Sequence, residues 1–162
     1  IPGAKEYAVP VLDVFEGAEI GQKVVILGGG LGGCDTAIHL AEQGKQVTVI
    51  EMQAEVPTGG TNGYKQFTRQ LFREKENVEH PYLKCVSILP DGIEAEDVTD
   101  ATSTCFPADT VIMSLGMRPN KQIVDEIQSM AGEIPVIPVG DAVAPKTVME
   151  AVWTGCSAAL DI

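Results

Sequence analysis

The strongest constraint on this chain is a spacing of glycines between two short apolar runs. Lys23–Glu51 reads KVVILGGGLGGCDTAIHLAEQGKQVTVIE. Val24-Val25-Ile26-Leu27 is an unbroken apolar run with turn-forming residues beyond it, the pattern of a parallel strand buried on both faces. After the glycines, Leu31, Cys34, Ile38 and Ala41 recur with a helical period, and Gly44 stands where a helix-terminating glycine belongs. Gln46–Ile50 is a second strand that ends on Glu51. A strand, a glycine turn, a helix and a second strand therefore follow one another within a single short stretch.

Gly28, Gly30 and Gly33 satisfy Gly-x-Gly-x-x-Gly, and Glu51 follows at the start of the next turn. Together these form the dinucleotide-binding fingerprint. Its chemistry is that of a diphosphate, which needs converging backbone N–H donors with no Cβ in the way. Gly28 permits the tight turn, Gly30 the close approach, and Gly33 the packing of helix on strand. The N–H groups of Leu31, Gly32 and Gly33 face the anion from the positive end of the helix. Such placement contributes roughly 0.3–2 kcal/mol per anionic group. Glu51 selects among dinucleotides: its carboxylate accepts bonds from ribose hydroxyls, at ~1.5–3 kcal/mol for a bond to a charged group. The same charge repels a 2′-phosphate, and Met52-Gln53-Ala54 offers no Arg or Lys, so NAD is expected over NADP.

Net charge is −12 over 162 residues, with only 11 Lys and Arg. That balance argues against nucleic acid and anionic membrane surfaces as partners, and any phosphate site must work by local geometry. No leader or membrane-spanning run is read, and a cytoplasmic location is expected. Cys34, Cys85, Cys105 and Cys156 form no C-x-x-C pair, so neither structural disulfides nor a zinc site is expected.

The expected fold class is α/β: a Rossmann-like parallel sheet with helices and a small antiparallel β-meander. Residues 1–17 read as a lead-in linker in which Val11–Phe15 can make one helical turn. After the glycine-rich passage 57–63, a helix is expected with Tyr64, Phe67, Leu71 and Phe72 inward and Lys65, Arg69 and Arg73 as a solvated face. His80 reads as a loop residue before Pro81. Leu83–Leu89, Gly92–Val98 and Thr102–Pro107 form the meander, and Thr110–Leu115 a further apolar strand ending at Gly116. This gives a nucleotide-binding domain over 18–116. In the remainder, 117–162, a helix is expected at Lys121–Met130 and a strand at Ile134–Val139, followed by Gly140-Asp141. A Thr147-x-x-Glu150 capping box then opens a last helix with Met149, Val152, Trp153, Cys156 and Leu160 on its apolar face. Cys34 reads as a core residue, and Asp35 and His39 as an exposed pair with Glu42 nearby. No catalytic or metal-ligating constellation stands out, so redox chemistry has to come from bound cofactors.

IPGAKEYAVP, GGGLGGCDTA, SLGMRPN and VGDAVAPKTVMEAVWTGCSAALDI span almost the whole chain. Together they resemble the NAD(P)-binding region of two-dinucleotide-fold flavoproteins, in which an NAD domain interrupts an FAD-binding fold. The resemblance implies that Gly116 marks the second crossover, where Ser114-Leu115 departs from the usual Ala-Thr, and that Asp141 of Gly140-Asp141 binds FAD. The tail is similar to that of 2,4-dienoyl-CoA reductase and related NADH:flavin oxidoreductases of the old yellow enzyme class. By resemblance, the partners are an FAD domain and an N-terminal FMN barrel with an iron–sulfur cluster, in an enzyme that reduces activated C=C bonds. The chain alone is then expected to bind NAD and turn over nothing. The alternatives are part of an NADH oxidase or ferredoxin reductase, and a structural module that holds ADP or NAD without turnover. Thioredoxin reductase is disfavoured, because no C-x-x-C is present.

Overall fold

Apolar runs such as Val24–Leu27 have no polar face, so they are stable only where both sides of a sheet are covered. The computed structural model, which describes residues 1–161, provides that cover. The chain divides into two compact units, Ile1–Leu115 and Gly116–Ile162. The final residue of the tail, Ile162, lies outside the described residues.

The first unit begins with α1 (Ala4–Tyr7), β1 (Ala8–Pro10), α2 (Val11–Phe15), β2 (Lys23–Leu27), α3 (Leu31–Glu42) and β3 (Gln46–Ile50). It continues through α4 (Asn62–Glu74), β4 (Val78–His80), β5 (Leu83–Leu89), β6 (Gly92–Asp97), β7 (Ser103–Pro107) and β8 (Thr110–Met113). Five strands form a parallel sheet in the order β1-β8-β2-β3-β4, and β5-β6-β7 form the antiparallel meander. The sheet's two faces are sealed by different partners. Val24, Ile26, Val47, Val49 and Ile112 pack with Cys34, Ala37, Leu40, Val56 and Phe72 on the helical side. Val25, Leu27, Ile50 and Val111 pack with Ile88, Ile93 and Ala95 of the meander. The period-2 alternation of strand side chains thus splits one apolar run between two cores.

Several elements depart from the sequence reading. His80 reads as a loop residue but ends β4: three residues before Pro81 give too short a pattern to register, yet Thr48–Ile50 pair with Val78–His80. Ala8–Pro10, in the stretch read as lead-in, pairs with Val111–Met113 at the sheet edge. The buried face of α3 is Gly33, Cys34, Thr36, Ala37 and Leu40, which leaves Leu31 outside it at 42% exposure. On α4, Phe72 is buried but Phe67 is 59% exposed, so that helix packs along one edge of its aromatic stripe. α3 ends as expected, with Gly44 at φ 80° beyond the Gln43 cap.

In the second unit, α5 (Lys121–Met130) is capped by Asn120 and α6 (Val148–Leu160) opens on the Thr147/Glu150 capping box. Ile134–Val139 is not a strand. Pro135 and Pro138 remove the donors a ladder would need. A 3-10 turn at Gly140–Ala142 is tied to α6 by the Gly140 N–H donating to Thr154 Oγ1 at 2.9 Å. The expected apolar face of α6 is exposed rather than packed, with Met149, Val152, Trp153 and Leu160 at 64–82%. No helix among the described residues is long and apolar enough to cross a membrane.

Candidate dinucleotide-binding site

Parallel pairing sets Leu27 opposite Ile50, so β2 and β3 end side by side and release their following turns at one edge. The Gly28 N–H donates to Ile50 O at 2.8 Å and closes that edge. This is where open α/β sheets bind ligands.

The three fingerprint glycines meet different surroundings. Gly28 has φ +105°, and a Cβ there would lie 2.4 Å from the Ser114 carbonyl oxygen. A Cβ on Gly33 would lie 2.0 Å from the Gly28 carbonyl oxygen, so α3 rests directly on the turn. A Cβ on Gly30 would have only Thr58 Oγ1, at 3.8 Å, within reach. The protein therefore fills the space at Gly28 and Gly33 and leaves it open at Gly30. Gly30 also caps α3 without a side chain, and the first bond of the helix runs from Cys34 N–H to Gly30 O at 3.0 Å. The N–H groups of Leu31, Gly32 and Gly33 precede that bond and have no intrahelical acceptor.

Glu51 is buried, with 8% exposure, at the end of β3. Its Oε2 accepts from the Gly29 N–H at 2.8 Å and its Oε1 from the Gln53 N–H at 2.8 Å. Its own N–H donates to His80 O, and its carbonyl accepts from Leu83 N–H. The carboxylate is thus fixed against the glycine turn, and each oxygen keeps acceptor capacity for a hydroxyl. Charge-assisted bonds of this kind are the strong ones. Gly28, Gly30, Leu31, Gly32, Gly33 and Glu51 form one cluster. Gly116, Gly140 and Asp141 belong to the second unit, where Asp141 is exposed and its Oδ1 accepts from Lys146 N–H at 3.3 Å.

Other residues of the site escaped the sequence reading. A Cβ on Gly29 would approach Val56 Cγ2 to 2.9 Å and Glu51 Cβ to 3.1 Å, so a side chain there would have to displace Val56. The Thr58 N–H donates to Gly29 O at 2.8 Å and folds the 57–60 passage against the loop. A glycine-rich run beside the fingerprint was the available signal. Ser114 accepts no such role from its motif, yet its Oγ would lie 3.4 Å from a Cβ on Gly33.

Asp35 and His39 do not pair with each other. Asp35 Oδ1 accepts from the Tyr64 hydroxyl at 2.8 Å, whereas His39 bonds to Gln43 and lies against the Phe15 ring. Burial and then the Asp35 carboxylate push the Tyr64 hydroxyl well above its ordinary range, which keeps it a donor. Cys34 is fully buried, and burial, reinforced by Asp35, Glu79 and Glu51, pushes its thiol up to about 12. It packs as a core residue despite its place in the first helical turn. His80 stacks edge-on with Phe106, their centroids 4.9 Å apart, and burial holds its pKa below the usual value.

The family described as pyridine nucleotide-disulphide oxidoreductase matches residues 1–154. The chain belongs to this family. Its members are flavoprotein oxidoreductases that bind FAD and NAD(P). Among curated proteins, the chain is similar to a cinnamate reductase of Clostridium sporogenes, 29% identical over 92% of this chain and 22% of that protein. It is similar as well to an NADH oxidase of Thermoanaerobacter brockii, 29% identical over 87% of this chain and 21% of that protein. Among solved structures, a 2-naphthoyl-CoA reductase in complex with 2-naphthoyl-CoA matches with a TM-score of 0.87 and 25% identity, over 100% of this chain and 24% of that one. The chain spans about a quarter of the length of these relatives.

Proposed function

We propose that the chain is the NAD(H)-binding module of a flavin-dependent oxidoreductase and holds NADH so that its hydride passes to FAD. Residues 18–116 are the NAD domain in this reading, entered through 1–17, and 117–162 return to an FAD-binding fold. The observation that carries the reading is the open space over Gly30. Gly30 caps the helix whose Leu31, Gly32 and Gly33 amides have no intrahelical acceptor, and Glu51 is fixed to the neighbouring Gly29.

That arrangement suits a dinucleotide's diphosphate at Gly30 and its adenosine ribose at Glu51. Asp141 fits a ligand hydroxyl, since only its Oδ1 is engaged among the described residues. Gly116 and Gly140, at φ +86° and +57°, are positions where a turn needs glycine. When bound, NADH supplies a hydride and FAD accepts it. The chain's own work is to bind, orient and fix charge: the amides hold the phosphates, and Glu51 holds the ribose and disfavours a 2′-phosphate.

The parent enzyme is proposed to reduce activated C=C bonds, as the names of the cinnamate and 2-naphthoyl-CoA reductases suggest for those proteins. Its partners in this reading are the FAD domain and an FMN barrel with an iron–sulfur cluster, and its location is cytoplasmic. Titration calorimetry with NADH, NADPH and ADP tests the module. Tightest binding to NADH is expected. Tighter binding to NADPH would contradict the role given to Glu51. Equal affinity for ADP and NADH would favour a holding role without turnover.

A further inference from the structure

Beside the same strand end stands a charged cluster that the proposed function does not use. Lys65 Nζ and Arg69 Nη2, one turn apart on α4, both bond to the carboxylate of Glu55, Arg69 at 3.0 Å. Arg69 Nε also donates to the Val56 carbonyl at 3.0 Å. Val56 is the residue whose methyls would lie 2.9 and 3.2 Å from a Cβ on Gly29, with Glu51 Cβ at 3.1 Å from the same point. The loop that carries Glu55 is therefore packed on the glycine turn next to Glu51, and α4 clamps it from outside. From β4, Glu79 lies within Coulombic reach of Arg69 and Arg73. Two of the three basic residues that read as a solvated face are thus engaged with this loop.

We infer that Glu55 is a second specificity residue of the dinucleotide site: it occupies Lys65 and Arg69, two cations beside the loop after Glu51 that would otherwise be open to a 2′-phosphate. The inference rests on the NADH reading above. An Arg fork and a Lys ammonium are the groups that hold phosphate monoesters, and they do so only when not already paired. Within this group Glu51, Glu55 and Glu79 balance Lys65, Arg69 and Arg73. Removal of Glu55 leaves an excess of one positive charge and two unfilled donor sets. Glu55 is also the most exposed of the three side chains, at 48% against 19% for Lys65 and 34% for Arg69. Where the Glu55 charge is removed, a ligand phosphate can bind the two cations from that exposed side without a change in α4.

The test is calorimetric titration of NADH and NADPH into the wild-type chain, Glu55→Gln, Glu55→Asp and Glu55→Gln/Lys65→Gln/Arg69→Gln. In Glu55→Gln, NADPH affinity is expected to rise about tenfold while NADH affinity moves less than about twofold, the change one unscreened charge contact produces. Glu55→Asp, which keeps the charge, is expected to keep the wild-type ratio. Glu55→Gln/Lys65→Gln/Arg69→Gln, which removes the two cations as well, is expected to lose the gain in NADPH affinity seen in Glu55→Gln. An unchanged NADPH-to-NADH ratio in Glu55→Gln, or a gain in NADPH affinity that persists in the triple variant, would overturn the inference and leave the NADH site standing. Absence of NADH binding in the wild-type chain would overturn both. If Glu55→Gln does not fold, Glu55→Ala, which removes the same charge, takes its place.

Discussion

Gly30→Val is expected to reduce NADH affinity by at least about a hundredfold, roughly 2.7 kcal/mol, with no loss of thermal stability. The argument rests on where the side chain would go. A Cβ at position 30 meets only Thr58 Oγ1, at 3.8 Å, so the fold itself has room for it. The isopropyl group would instead fill the approach to the amides of Leu31, Gly32 and Gly33, where a diphosphate has to sit. Position 30 takes an extended backbone, φ −72° and ψ −177°, that valine adopts without strain. Calorimetry and a thermal melt on the same sample check both halves. Retained affinity would mean the loop does not hold the diphosphate, and a large drop in melting temperature would mean that position 30 has no room for a side chain.

Gly33→Ala is expected to do the reverse and damage the fold first. Its added Cβ would stand 2.0 Å from the Gly28 carbonyl oxygen, a backbone atom that has no flexible side chain to yield. Relief requires α3 to lift from the turn. That movement disturbs Cys34, Ala37 and Leu40, which seal one face of the sheet. Overpacking of this kind costs about 3 kcal/mol at the upper end of the usual range. A melting-temperature fall on the order of 10 °C follows for a chain of this size. A melting temperature within a degree or two of wild type would show that the helix–turn contact is softer than its geometry suggests. The pair separates two roles that one motif merges: both glycines lack a Cβ, one for the ligand and one for the packing.

The stretch from Lys23 to Glu51 was legible because its constraints are local. Strand burial, glycine spacing and helix termination each leave a mark within a few residues. β4 was not legible, since Val78–His80 is recruited by pairing with β3 and not by any pattern of its own. The same holds for Glu51. Its spacing identified a ribose acceptor, but its bonds to Gly29 and Gln53 N–H depend on how two turns meet in space. Periodicity placed Lys65 and Arg69 on a polar face correctly and could not tell that Glu55 would reach them from a loop ten or more residues away. The apolar stripe of α6 was visible in the sequence. Its cover was not, because no residue of that helix is buried in this chain.

The central claim is that the amides opening α3 and the carboxylate of Glu51 hold NADH. Backbone-amide NMR during titration with NADH tests it most directly. The account predicts that the largest shifts fall on Leu31, Gly32 and Gly33, with Gly29 and Gln53 following as Glu51 takes up the ribose. Saturating NADH that leaves these amides unmoved, or that shifts a different set, would contradict it.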